Sequence, residues 1–219
     1  MALTRDEIVQ AAIQLLDEAG LEGLSLRRLA DRLGVRAPTL YWHVRDKRQL
    51  LDLMAEAIIA QVEPEELSRP RHGQPWWEWL AERSQRAFQA LIAHRDAALV
   101  MAGNRPTDRT LPHLEDILGT LVAVGFPPTE ALQSVVSLGT LVMGCALEWQ
   151  AEAARSADPE AERAAATLLE LREQYPNLVA AVSGLLVSNP QAMFEHGVRL
   201  MIAGLRARHA ELVAGARPG

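Results

Sequence analysis

Residues Leu24–Val44 read LSLRRLADRLGVRAPTLYWHV, and the punctuation within this stretch decides the architecture. Ser25 offers a short side-chain oxygen that can satisfy the orphan amides of a new helix. Gly34 turns the chain after Leu33, because a residue without Cβ enters the left-handed region at little cost. Pro38, with its fixed φ and no amide proton, suits the first position of the next helix. The spacing predicts a short helix over 25–33 and a shorter one over 38–43, joined by a tight turn. Two such helices form a helix-turn-helix, which presents its second helix to a DNA groove.

The side chains divide accordingly. Leu29, Ala30, Leu33, Val35, Leu40 and Val44 can bury one face against a preceding helix, leaving Arg27, Arg28, Thr39, Tyr41 and His43 for the other. Guanidinium groups suit phosphates, while Thr, Tyr and His offer short hydrogen bonds and apolar contact to base edges. Between Leu24 and Arg48 the bases Arg27, Arg28, Arg32, Arg36, Arg45, Lys47 and Arg48 outnumber Asp31 and Asp46, so a chain of formal net charge -6 carries a local basic island. An average charge does not exclude a nucleic-acid footprint when the basic residues are clustered.

Working outward, Thr4 and Glu7 make a capping box, and Gly20 supplies a stop, giving a helix over 4–19. A fourth helix is expected over 47–62. The stretch 63–75, with Pro64, Pro70, Gly73 and Pro75, reads as a break between domains. This places a DNA-binding domain at 1–62, with the fourth helix linking, and a ligand-binding and dimerisation domain at 63–219. Within the second domain, helices are expected at 76–94, 96–102, 108–124, 128–153, 160–174 and 190–213, with the weakest pattern over 154–188. Apolar residues recur at helical spacing and none alternate as in a strand, so the fold class is all-α.

Other chemistries find no support. The chain opens on no basic-then-apolar leader, and no apolar run reaches spanning length uninterrupted by charge, so a cytoplasmic protein without a membrane partner is expected. Cys145 is the only cysteine and reads as a buried thiol in the apolar run Leu138–Leu147. His72, His94, His113, His196 and His209 lack metal-ligand spacing, and no nucleophile elbow or phosphate-cradling loop occurs. Neither an enzyme nor a metal or other cofactor is expected.

The run from Leu24 to Asp52 resembles the DNA-binding domain of the TetR family over about Leu3 to Val62, and Pro38–Val44 is most similar to its tetracycline repressor branch. The resemblance implies that Arg27, Pro38, Thr39, Tyr41, Trp42, His43 and Lys47 touch a double-stranded operator. Ala37 stands where that branch has a base-reading glutamine, which implies a different operator, with neighbouring Arg36 taking over part of the readout and Arg28 adding charge. The second domain resembles the branch more weakly, through Arg95-Asp96, Gly103-Asn104-Arg105-Pro106 and Gly144–Gln150.

That second resemblance implies an apolar effector pocket and a homodimer through a four-helix interface supplied by 128–153 and 190–213. Its metal-binding histidine is replaced by Met101, and its drug-contacting asparagine and glutamine by Arg83 and Ile117. Glu63 stands for a further histidine and Ala87 for a phenylalanine. With Leu114, Leu132, Val135 and Gly139 as apolar lining and Asn104 and Glu148 as polar candidates, the pocket suits a small organic effector without a metal. The implied function is a ligand-responsive repressor. A carrier or sensor that keeps the fold is the rival reading, which the basic island disfavours. An activator that needs ligand to bind DNA stays open.

Overall fold

The computed structural model describes residues 3–61, 67–103, 107–155, 171–187 and 190–215. Among them are ten helices and no strand. The first four are α1 (Arg5–Gly23), α2 (Leu26–Leu33), α3 (Ala37–Tyr41) and α4 (Lys47–Ala60). The remainder are α5 (Trp76–Ala93), α6 (Ala97–Met101), α7 (Leu111–Ala123), α8 (Pro128–Arg155), α9 (Pro176–Val187) and α10 (Pro190–Gly215).

Local chemistry sets the boundaries of the first four. The Thr4 hydroxyl accepts from the Glu7 amide while the Glu7 carboxylate accepts from the Thr4 amide, closing the expected capping box. Gly20 interrupts rather than ends α1: at φ 69 and ψ 177 it kinks the helix, which resumes to Gly23. Ser25 caps α2 through the Arg28 amide, and Gly34 stands left-handed at φ 66. α3 begins one residue earlier than expected, so Pro38 occupies its second position and Ala37 its first. Asp46 caps α4 by accepting from the Gln49 amide.

In the second domain α7 starts at Leu111 rather than 108, because Thr107 and Thr110 spend themselves on a turn. The helix expected at 160–174 lies mostly outside the described residues, and residues 171–174 form a turn. α9 has no counterpart in the sequence reading. Pro176, which reads in the sequence as a boundary, is its first residue, where a missing amide donor costs nothing.

One continuous core joins both ends of the chain. Ile8, Leu16, Leu29, Leu40, Leu50 and Met54 pack beneath the helix-turn-helix, and Trp79, Phe88, Leu121, Phe126 and Phe194 pack the larger bundle. Phe88 of α5 stacks on Phe194 of α10 at 4.1 Å, with Trp149 of α8 edge-on at 6.0 Å. α6 is wedged in by small residues, Ala97 and Ala98 being fully buried, and it packs on α4, α5 and α8.

α8 departs from the sequence reading at one residue. Cys145, expected to be buried, is half-buried on it. An 18-residue window of mean hydropathy 1.4 within Pro128–Ala153 is apolar enough by length and composition alone to cross a membrane, Glu130, Glu148 and Glu152 lying in the same stretch, and 22% of that window is buried within the chain. Gln133, Ser137 and Thr140 interrupt the exposed surface, which is the mixture of small and apolar side chains that another helix covers.

Candidate functional site

The short helix α3 is held from below by Leu40 and Val44, both fully buried. Its other face is open. Pro38, Thr39 and Tyr41 are exposed, His43 is half-buried, and Trp42 is 89% exposed. A large aromatic ring left in water on a surface this small is costly unless something covers it. Ala37 is half-buried and Arg36 exposed at the entrance of the helix.

The basic island is not uniformly available. Arg32 pairs with Glu18 at 2.6 Å and holds Gln14, an arrangement that draws the Glu18 carboxyl below its ordinary range. Arg48 bridges Asp52 at 2.9 Å and donates to the Gly103 carbonyl. Arg28 donates to the Gly23 carbonyl and Lys47 to that of Leu21, so both also brace the turn between α1 and α2. Arg27 and Arg36 form no ion pair among the described residues and stand exposed. Of the island's charges, only those of Arg32 and Arg48 are met by carboxylates among the described residues.

Behind this head, the link between α5 and α6 grips α1 directly. Asp17 accepts from the Arg95 amide at 3.0 Å and faces His94 Nδ1 at 2.9 Å. Asp96, left-handed at φ 56, accepts from the Leu21 amide at 2.8 Å with its carboxylate. That carboxylate lies 2.8 Å from where a Cβ on Gly20 would be, so the α1 kink requires glycine twice over: for its positive φ and for the approach. The Leu21 bond bridges two parts of the chain that no local signal connects.

Asp96→Ala removes the acceptor from a partly buried amide and is expected to lower stability by about 1–3 kcal/mol in urea unfolding. Asp96→Gly should lose less, since glycine recovers the backbone cost of the left-handed conformation. Equal losses would overturn the strain argument, and no loss in either would overturn the bond's importance.

Below α4 lies a cavity of about 770 Å³, within the range of small-molecule sites. Its walls come from the start of α1, the second half of α4, Met101 and the stretch from Arg109 to Asp116. The expected effector residues divide around it. Met101 lines the cavity. Arg83 does not line it, but its guanidinium meets His113, which does, at 2.9 Å. Ile117 is buried and Ala87, Leu114 and Val135 are half-buried, while Leu132, Gly139 and Glu148 are exposed. None of these seven lines the cavity. Asn104 and Glu63 lie outside the described residues. A Cβ at Gly139 meets nothing within 4 Å, so a larger residue there fills no space inside this chain.

The sequence reading missed Arg5, Val9, Leu53, Glu56 and Arg109 as cavity residues. Burial pushes the Glu56 carboxyl above its ordinary range, against the pull of Arg109 and Arg5. Glu56 also accepts a hydrogen bond from the Thr107 hydroxyl. The Arg69 guanidinium beside Asp116 holds that carboxyl low. Among the described residues no three His, Cys, Asp or Glu side chains come together as a metal site.

Comparison with known proteins adds independent ground. The family described as "Bacterial regulatory proteins, tetR family" matches residues 8–54, and "Tetracyclin repressor-like, C-terminal domain" matches 69–209. The chain is 36% identical, over 99% of its length and 98% of the relative's, to the tetracycline repressor protein class A from transposon 1721 of Escherichia coli. Among solved structures it is similar to the Streptomyces coelicolor TetR family protein ActR in complex with actinorhodin. That match has 30% identity and a TM-score of 0.82, covering 95% of this chain and 99% of ActR. It is also similar to a single-substitution variant of TetR from Acinetobacter baumannii AYE in complex with minocycline, at 31% identity and a TM-score of 0.75, covering 94% and 98% of the two chains.

Proposed function

The chain belongs to the tetR family of bacterial regulatory proteins, and from that premise we propose that it represses transcription as a two-fold dimer on a palindromic duplex, releasing it when a small organic effector binds. It is a DNA-binding regulator and not an enzyme. The division of labour falls near residue 62: the head through α4 reads DNA, the remainder binds effector and pairs with a second copy, and the work is done in the cytoplasm.

The observation that carries this reading is the exposed surface of α3. Thr39, Tyr41 and Trp42 lie open beside the unpaired Arg27 and Arg36. Thr39, Tyr41 and His43 meet base edges, Pro38 and Trp42 pack on the backbone, and Arg27, Arg28 and Lys47 neutralise phosphates. Ala37 offers a methyl group where a longer amide would read adenine, and Arg36 takes guanine-rich readout in its place. Selection of an inverted repeat from random duplexes tests the proposal, and a protein that retained no repeat would not be this regulator.

The effector's signal passes through the seam. α6 packs on α4, Arg48 of α4 holds the Gly103 carbonyl, and Asp96 holds α1, so a shift of residues 96–103 moves the head. Such coupling needs the effector to prefer the DNA-incompetent state, and a hundredfold release takes about 2.7 kcal/mol of preference.

The effector is organic and needs no metal. Relatives have been solved with minocycline or with anhydrotetracycline and magnesium, and others with actinorhodin. In this chain a thioether at Met101 stands where magnesium demands oxygen or nitrogen ligands, Ile117 is closed into the core, and Arg83 is engaged with His113. Titration with tetracycline and magnesium is expected to show no chelator-sensitive heat at roughly micromolar concentration in calorimetry. A tight signal abolished by chelator would place the drug's anchors elsewhere in the domain.

A further inference from the structure

The cavity below α4 is built from both halves of the protein. Val9 of α1 and Leu53, Ala57 and Ile59 of α4 supply apolar surface from the DNA-reading head, and Met101 and Pro112 supply it from the regulatory side. Two arginines border it, Arg5 at the first residue of α1 and Arg109 just before α7. Neither forms an ion pair among the described residues. Of the acids nearby, Asp116 is held by Arg69, Asp52 by Arg48, and Asp6 and Asp108 make no ion pair with either, while Glu56, half-buried and bonded to Thr107, feels the pull of both arginines without an ion pair to them among the described residues. The cavity thus joins an apolar body of drug-like size to two arginines that form no ion pair among the described residues and share one half-buried carboxyl, Glu56.

We propose that this seam cavity binds an aromatic effector carrying an acidic group, its ring system against Val9, Leu53, Ala57 and Met101 and its anion between Arg5 and Arg109. The proposal rests on the ligand-responsive regulator described above and gives its effector a chemical class and a place. An anion held by Arg5 on one side and Arg109 on the other ties α1 to the start of α7 at one spacing. The bound state therefore favours one separation of head and regulatory domain, and that differential affinity is what a two-state switch requires. A ligand enclosed among α5, α7 and α8 would reach α1 through the 94–96 link, α6 and α4, whereas a ligand here touches α1 and α4 itself.

Anilinonaphthalene sulfonate is a suitable probe, with uncharged phenylnaphthylamine as its control; both fluoresce when an apolar site excludes water. The wild-type chain should bind the sulfonate about tenfold more tightly than the neutral analogue, one charge-assisted contact's worth of preference. The Arg5→Gln, Arg109→Gln double variant should lose that preference and its salt dependence while keeping its affinity for the neutral dye. Both positions are exposed, so the substitutions leave the core intact, and a thermal melt confirms it. Ala57→Phe, which fills the apolar part, should weaken both dyes. Saturating sulfonate should weaken duplex binding by the wild type but not by the double variant.

An unchanged sulfonate affinity in the double variant, equal affinities of the two dyes for wild type, or no effect of sulfonate on duplex binding would each overturn the proposal. Failure of wild-type protein to select a duplex in the absence of dye would instead overturn the regulator reading. Duplex selection without any dye preference would remove only the seam site.

Discussion

Passed over a random duplex library, the protein is expected to retain an inverted repeat about a thousandfold or more above bulk sequence, the lower end of the ratio for specific regulators. α3 is five residues long, and its exposed face is enough to reach only a few base pairs, so one head cannot supply this selectivity. Two heads related by a two-fold axis can, with half-sites about one helical turn or a multiple apart. Variants should separate the contributions. Arg27→Ala removes a phosphate contact from each half-site and should reduce the slope of log affinity against log salt by about two, leaving the preferred sequence unaltered. Tyr41→Ala and Thr39→Ala should change the preferred bases, at about 1–3 kcal/mol per position. Lys47→Ala is a mixed case, since its ammonium also braces the Leu21 carbonyl. If Arg27→Ala relaxed the sequence preference while Tyr41→Ala altered only the salt slope, the roles assigned to α2 and α3 would have to be exchanged.

The parts of this fold that local chemistry controls are legible in the sequence. Thr4, Ser25, Gly34 and Asp46 each act on amides or turns within a few residues of themselves, and the first four helices lie within one or two residues of expectation except where α1 runs past Gly20. Gly20 shows the limit. Its role as a breaker is local, but its need to admit the Asp96 carboxylate depends on a residue far along the chain. Likewise the residue types around α3 announce a DNA reader, while which of the island's charges remain available depends on Asp52, which i,i+4 spacing offers to Arg48, and on Glu18, which spacing does not single out for Arg32.

The candidate effector cavity is less legible for the same reason. Position-by-position resemblance draws attention to α5, α7 and α8, yet the cavity is shaped by where α1 and α4 settle against the chain near Arg109. Leu132 and Gly139, apolar or small and so plausible lining, face outward within a single chain. α9 is hidden because a proline after a polar stretch reads equally as a stop or as a first residue. Residues 177–187, almost uniformly small or aliphatic, give no amphipathic contrast to decide it.

Leu200→Glu is expected to dissociate the protein into monomers in sedimentation velocity and to lower its affinity for the selected repeat by at least about a hundredfold. Leu200 on α10 is 62% exposed, and it, Met193 on the same helix and Val136 and Leu132 on α8 are apolar side chains that nothing among the described residues covers. Gly139, Gly144 and Gly204 lie on these two helices with open space where a Cβ would be, which permits another helix to approach closely. A two-fold axis through this face makes a four-helix bundle and would also cover the long apolar stretch of α8. Each carboxylate introduced by Leu200→Glu would then be buried without a partner near its symmetry mate, a penalty of several kcal/mol per dimer. Trp42→Ala supplies the contrast, since it should weaken duplex binding while the dimer persists. A Leu200→Glu protein that remained dimeric and bound the repeat normally would move the interface off α8 and α10. The uncovered Leu132 and Val136 would then require a different partner.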